Sequence, residues 1–373
     1  MPHSPLHPAP GLQRPLIKAL SRVLSRALTR TLSPALAAGA LLGAAGWTMA
    51  QNPTSPTSAA SPEQLCDTTA SPLDPQRPPE VKPRTFTAGQ ELQETIAACL
   101  KAIKKHPQQA RYAYQLGNAY LLQLQEYELQ NLFNHKGQGA SRRDMAKAWQ
   151  LKALASGARQ QYRRAADAGY LAGYYGLALM QLRELQPVPW PALQEHHQAL
   201  QAKAPALAHV LQGRWHSHQF LEVQDKPQAQ EHLAQSRQHY QQAIDLGLPQ
   251  ALLALASSYQ QPNKGQDGEK YLQTLAKAAQ LDIGMARSLY ARALYRLGRN
   301  EQADALLAEL EQAAASNADA RVEMHYLQAQ RLINGHSGVR VDMPQAMELL
   351  KQAAQAGHVL ARHELLDLQG RWQ

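Results

Sequence analysis

A recurring helix-stop pattern limits what this chain can become more than any single motif does. With the stop residue taken as zero, small or apolar side chains stand three, four and seven places before it, and four and eight after it. At Gly357 the set is complete, with Ala354, Ala353, Leu350, Ala361 and Leu365. Gly169 repeats it with Ala166, Ala165, Tyr162, Gly173 and Leu177, and Gly247 with Ile244, Ala243, Tyr240, Ala251 and Leu255. Asp282 carries Ala279, Ala278, Leu275, Ala286 and Tyr290, while Lys203 carries Leu200, Ala199, His196, Leu207 and Leu211. A degenerate copy lies at Ser316 or Asn317, where Ala313, Ala320 and Met324 leave the register open by one residue. Successive stops are 34, 44, 35, 34 and 41 residues apart. Such spacing makes one apolar stripe on each of two helices, and a hairpin of that kind buries its stripe only by stacking on others. The expected fold is all-α, a right-handed α-solenoid of stacked helix-turn-helix repeats.

The last unit, Gly335 to Gly357, carries the local physics most fully. Gly335, Gly338 and Val339 form a tight loop that runs into Asp342, a helix N-cap whose carboxylate accepts from free backbone N–H groups. Pro344 falls in the first turn, where a missing N–H costs nothing. Ala346, Leu350, Ala353 and Ala354 form the stripe, and Gly357 suits the left-handed position that ends a helix. Upstream, helices are expected over about 88–105, 108–133 and 143–168, with Gly137-Gln138-Gly139 as a weaker copy of the loop, followed by Asp144. Composition agrees with helix: Ala, Leu and Gln dominate, and no run of alternating β-branched residues is present.

The N-terminal part reads differently. Residues 1–50 hold Arg14, Lys18, Arg22, Arg26 and Arg30 and no acid, and Pro34 to Trp47 is an apolar run followed by small residues up to Ala50. This is the pattern of a cleaved secretory signal peptide. The arginines at four-residue spacing also suit a mitochondrial transit helix, and an uncleaved membrane anchor is a further alternative. The formal net charge of +9 falls to +4 once those five cations are removed (9 − 5), so the high pI is poor evidence for a nucleic-acid partner. The chain thus divides into a signal peptide over 1–50, a Pro/Ser-rich linker and extended lead-in over 51–87, a helical cap with a first degenerate repeat over 88–168, and the repeat array over 169–373.

Cys66 and Cys99 are the only cysteines. In an exported chain an even count points to one disulfide, which would stabilise the fold by roughly 3–4 kcal/mol by closing the intervening loop. In a reducing compartment the same residues would stay thiols. His216 and His218 could bind a metal, with Glu195, His196 or His197 as further ligands. Their i, i+2 spacing puts the first two on different helix faces, so the expectation is no metal and no cofactor. Tyr162, Tyr170, Tyr174, Tyr175 and Trp190 make the densest aromatic region. The region reads first as inter-helix packing, with Tyr162 and Tyr174 in the core; Tyr170, Tyr175 and Trp190 are the candidates for a surface that could hold a peptide or a glycan. Arg159 and Arg163, with Arg164, share one long helix and could meet an acidic partner. No G-x-S-x-G, H-E-x-x-H or phosphate loop is present, so no catalytic residues are assigned.

The repeat units resemble the Sel-like repeat branch of the tetratricopeptide superfamily. Gly338-Val339, Asp342, Gln345-Ala346, Leu350, Ala353-Ala354 and Gly357 follow that family's G-V-x2-D-x2-K-A and A-A-x2-G pieces, with one residue inserted between Gly335 and Gly338. Leu116-Gly117 with Tyr120 follows its L-G-x2-Y piece, and the likeness extends over about residues 108–370. The resemblance implies a non-enzymatic adaptor that holds a partner segment on the concave face, with roles in envelope complexes or signalling. The leading expectation is a periplasmic or secreted scaffold that binds a protein or peptide. A glycan- or peptidoglycan-associated protein is the alternative.

Overall fold

The computed structural model describes residues 60–81, 84–85, 89–134, 142–184, 187–260 and 267–371. The signal segment, the start of the linker and the Gly137–Gly139 loop lie outside the described residues. All described residues belong to one unit, Ser58–Gln373. Their regular structure is helical, without strands. In chain order the helices are α1 (Pro62–Asp67), α2 (Gly89–Lys105), α3 (Ala110–Asn134), α4 (Arg142–Asp167), α5 (Leu171–Glu184), α6 (Gln194–Lys203), α7 (Pro205–Glu222), α8 (Lys226–Asp245), α9 (Leu252–Tyr259), α10 (Gly268–Gln280), α11 (Ala286–Arg296), α12 (Asn300–Ala313), α13 (Ala318–Asn334), α14 (Met343–Gln355) and α15 (Val359–Arg371). Short 3-10 turns precede α6, α9 and α14.

Each helix from α1 to α15 packs on its neighbours in sequence, and α3 also meets α5, α5 meets α7, and α11 meets α13. That second set of contacts stacks the first helices of successive hairpins into a row. The molecule is therefore an α-solenoid. The row returns on itself, since α15 contacts α3. There Arg362 Nη1 lies 3.6 Å from Glu126 Oε1, and the Thr85 N–H donates to Asp319 Oδ2 at 3.1 Å.

The stops have a common cause. Gly169, Gly247 and Gly357 take φ of +77°, +85° and +98°, a region open to glycine and strained for other residues. Asp282 adopts φ +53° with a side chain, within the tolerance of Asp for left-handed backbone. Lys203 departs from the pattern. Its helix ends at Ala204, at φ −144°, and Pro205 starts α7 at once. The ambiguity at 316 and 317 resolves into a shorter turn. Counted before the stop, Ala314 and Leu310 are buried three and seven places from Asn317; counted after it, Ala320 is buried four places from Ser316. Asn317 Oδ1 accepts from Asp319 N and Ala320 N, which starts α13 without a glycine.

Tyr162 sets the spacing of the first hairpins. Its ring lies between Gly117 on α3 and Gly176 on α5, where an added Cβ would stand 2.6 Å and 2.5 Å from ring carbons. Gly213 on α7 makes the same room for Tyr240 on α8, with its nearest approach also 2.6 Å. A methyl group at these positions would hold the helices apart, so the glycines here serve close packing.

The lead-in differs from the extended segment expected over 51–87. It contains α1, because Ser61 and Gln64 form a capping box around Pro62. Cys66 on α1 is joined to Cys99 on α2 by a disulfide, buried against Tyr112 and Leu116 of α3. Thr69 Oγ1 donates to the Gln115 carbonyl at 3.0 Å, and Asn118 Nδ2 donates to the Thr69 carbonyl at 2.9 Å. The segment is a docked strap on α3, held by its polar groups as well as by the disulfide.

Candidate partner-binding face

The surface assigned from sequence is divided by the fold. Tyr170 is only 8% exposed and Tyr175 only 2%, so neither offers a surface to a partner. The Tyr170 hydroxyl donates to Asp74 Oδ2 at 2.5 Å and so fastens the lead-in to the α4–α5 turn. Burial pushes the Asp74 carboxyl up, against the opposing effect of that hydrogen bond. Tyr175 lies in the core with Leu171, Ala178 and Leu207. Tyr174, assigned to the core, is the half-buried one, its ring 6.3 Å from that of His196. One place along a helix turns a side chain by roughly 100°, enough to exchange these two residues.

Trp190 is half-buried, edge-on to His197 and inclined to Trp215, each at 5.1 Å. Arg163 is exposed on α4 and Arg159 is half-buried. Both stand on a second helix of a hairpin, away from the first-helix row. His218 does not join His216. The His216 imidazole meets His232 on α8 instead, with Nδ1 atoms 3.0 Å apart. Among the described residues no three His, Cys, Asp or Glu side chains converge as a metal-binding group.

What the structure does bring together is a cleft of about 340 Å³ between α11, α13 and α15, lined by Arg292, Tyr295, Arg296, Gln330, Asn334, His336 and Glu364. All but His336 come from the first helices of three consecutive hairpins, and His336 comes from the loop after α13. Arg292 Nη1 donates to the Tyr326 hydroxyl at 3.2 Å. Gln330 Nε2 donates to Glu364 Oε2 at 2.5 Å. The Tyr295 hydroxyl donates to Asp304 Oδ1 at 2.8 Å, and its ring stacks on His336 at 4.7 Å. Burial lowers the His336 pKa, with Asp304 opposing, so the imidazole is neutral near pH 7. Arg296 is exposed and pairs with no carboxylate among the described residues. The cleft thus holds two guanidinium groups and one carboxylate beside an aromatic wall. It suits a short segment carrying a carboxylate, because arginine binds that group through paired N–H donors.

Sequence reasoning missed this cleft, although a signal was present. Arg296, Gln330 and Glu364 stand 34 residues apart, one repeat each. Polar residues at equivalent places on stacked helices fall in one line. This polar line runs beside the apolar stripe, one residue per repeat.

The fold and the cleft together define the class: an α-solenoid of helical hairpins with a polar cleft across the first-helix row. No family model matches the chain, and no curated protein matches it. Among solved structures it is similar to c5321, a protective antigen present in uropathogenic Escherichia coli strains and displaying an SLR fold, at 17% identity and a TM-score of 0.37. That match covers 74% of this chain and 63% of the other, so the chain spans less than two thirds of that structure. It is also similar to the human IFIT1 dimer with PPP-AAAA, at 13% identity, a TM-score of 0.28, and 72% and 69% coverage. At these values neither likeness bears on function.

Proposed function

We propose that this protein is a non-enzymatic scaffold that takes an acidic partner segment along the first-helix row, with Arg292 and Arg296 as its anchors. The observation that carries this reading is the cleft itself. Three hairpins contribute to it at equivalent positions, and Arg296 is left without a carboxylate among the described residues. The repeat architecture supports binding as the work of the chain, since stacked hairpins build extended surfaces. The disulfide between Cys66 and Cys99 supports an oxidising compartment, periplasmic or extracellular, and with it the signal-peptide reading of residues 1–50. No described helix is long and apolar enough to cross a membrane. The glycan-binding alternative loses two of its three aromatic anchors with the burial of Tyr170 and Tyr175.

Affinity capture from an envelope extract tests the proposal, with the wild type, Arg296→Glu and Arg163→Glu compared side by side. A stoichiometric protein partner lost with Arg296→Glu and kept with Arg163→Glu supports the cleft. Equal retention by both variants removes the cleft from the reading. Recovery of polymer fragments without a protein partner favours the glycan alternative.

A further inference from the structure

The α7–α8 hairpin carries four histidines in one seam. His209 and His216 are seven residues apart on α7, and His232 and His239 are seven apart on α8. Seven residues is about two helical turns, so each pair shares a face. The helices run antiparallel, and the register that sets His216 against His232 also sets His209 against His239. Their Nδ1 atoms approach to 3.0 Å and 3.2 Å. The rings form a column: His232 to His216 at 5.2 Å, His216 to His239 at 5.4 Å, and His239 to His209 at 5.4 Å.

The two cross-helix pairs are not alike. His239 Nδ1 also lies 3.1 Å from Gln242 Oε1. A carbonyl oxygen only accepts, so His239 Nδ1 carries the proton and His209 Nδ1 accepts beside it. That pair is satisfied internally. His216 and His232 share one proton between their Nδ1 atoms, and no carbonyl among the described residues fixes which ring carries it. Both rings are half-buried. Trp215 stands edge-on to both rings, at 4.6 Å and 5.7 Å, and its own Nε1 donates to the Val188 carbonyl at 2.8 Å. A fixed indole thus holds two imidazoles in place. Two nitrogens 3.0 Å apart, each about 2.05 Å from one ion, subtend an angle of about 95° there. That suits adjacent positions of a square-planar or octahedral ion.

We propose that His216 and His232 form a bidentate site for a borderline divalent transition-metal ion, Cu²⁺ ahead of Ni²⁺ and Zn²⁺, with water completing the coordination. Imidazole nitrogen suits these metals, and the order among them follows their general affinities. Metal binding requires the neutral ring. Both Nδ1 lone pairs are needed, so the proton held between the two atoms is released or moves to Nε2 when the ion binds. An ion there bridges α7 to α8 and stabilises the hairpin by mass action.

The test is titration of the full chain with Cu²⁺ and with Zn²⁺, followed by calorimetry and, for Cu²⁺, by electron paramagnetic resonance. The wild type is expected to show a site with two nitrogen ligands. Affinity at that site falls at least tenfold in His216→Gln and in His232→Gln, while His218→Gln on the same helix keeps it. Binding elsewhere, at His3 or His7 for instance, persists in all three variants and cancels in the comparison. Circular dichroism shows that each variant is folded. A readout free of variants is acylation of histidines in the wild type: bound metal should protect His216 and His232 and leave His218 reactive. Isotherms unchanged by either Gln variant, an equal loss with His218→Gln, or absence of protection would overturn the assignment.

Discussion

His358 is a residue where folding strongly opposes a charge. It is fully buried, stacked on Tyr326 at 4.3 Å, and its Nδ1 accepts from Ala361 N at 3.2 Å, which caps the start of α15. Burial first, and Arg292 next, depress its pKa to about 3 from an ordinary 6.5. The folded state therefore keeps it neutral while the unfolded state takes up a proton below 6.5. Its share of stability is complete above pH 6.5 and is lost progressively as pH falls towards 3. The thermal midpoint should drop over that window, and His358→Asn, which retains a capping acceptor without titrating, should flatten the acid limb. An acid limb of unchanged slope in the variant would count against the assignment. Gly176 makes a second prediction at this scale. In Gly176→Ala the new methyl meets the Tyr162 ring at 2.5 Å, and overpacking of this kind costs about 1–3 kcal/mol, measurable by urea unfolding.

At the scale of elements, the helix ends decide the hairpins. Asp342 Oδ1 accepts from Gln345 N at 3.0 Å at the head of α14, as the sequence around Pro344 led one to expect. Asp342→Ala should cost about 0.5–2 kcal/mol, the usual effect of losing such a cap, and should raise hydrogen exchange first in α14. The stops at Gly169, Gly247 and Gly357 were legible because glycine has few other reasons to recur at that spacing. Gly298, at φ +71° between α11 and α12, lies outside the pattern, which counts only eight places past the stop at Asp282. The α1 helix went unread for a different reason. Six residues give no periodicity, and only the reciprocal bonds of Ser61 and Gln64 mark it.

At the scale of the whole unit, two long-range ties hold the N-terminal elements in place. One is the disulfide, which ties α1 to α2 beneath the strap on α3. The double variant Cys66→Ala, Cys99→Ala should lose about 2–5 kcal/mol, and the wild type should show the same fall in thermal midpoint under reducing agent. The other is the approach of α15 to α3. Arg362 and Glu126 are both largely buried there, at 16% and 18% side-chain exposure. Arg362→Glu sets two carboxylates against each other, and removing one partner of such a pair is more damaging than the pair is stabilising. The expected result is a larger maximum dimension in small-angle scattering with helical content retained. An unchanged dimension would show that the row keeps its curve without this contact.

The sequence by itself determined the class of fold, the positions of most helix stops and the side chains that fill the stripe at each hairpin. These rest on local rules: a 3.6-residue period, a cap, and a glycine where the backbone turns left-handed. Tertiary structure alone decided which polar residues face one another. Tyr170 is taken up by Asp74, 96 residues away in sequence. His216 passes over His218 to meet His232 across a hairpin. Arg292 and Arg296 gather with Glu364 two repeats later. Each of these meetings depends on the register between helices, set in part by how side chains such as Tyr162 and Tyr240 seat against glycines on neighbouring helices, and no local pattern carries that information.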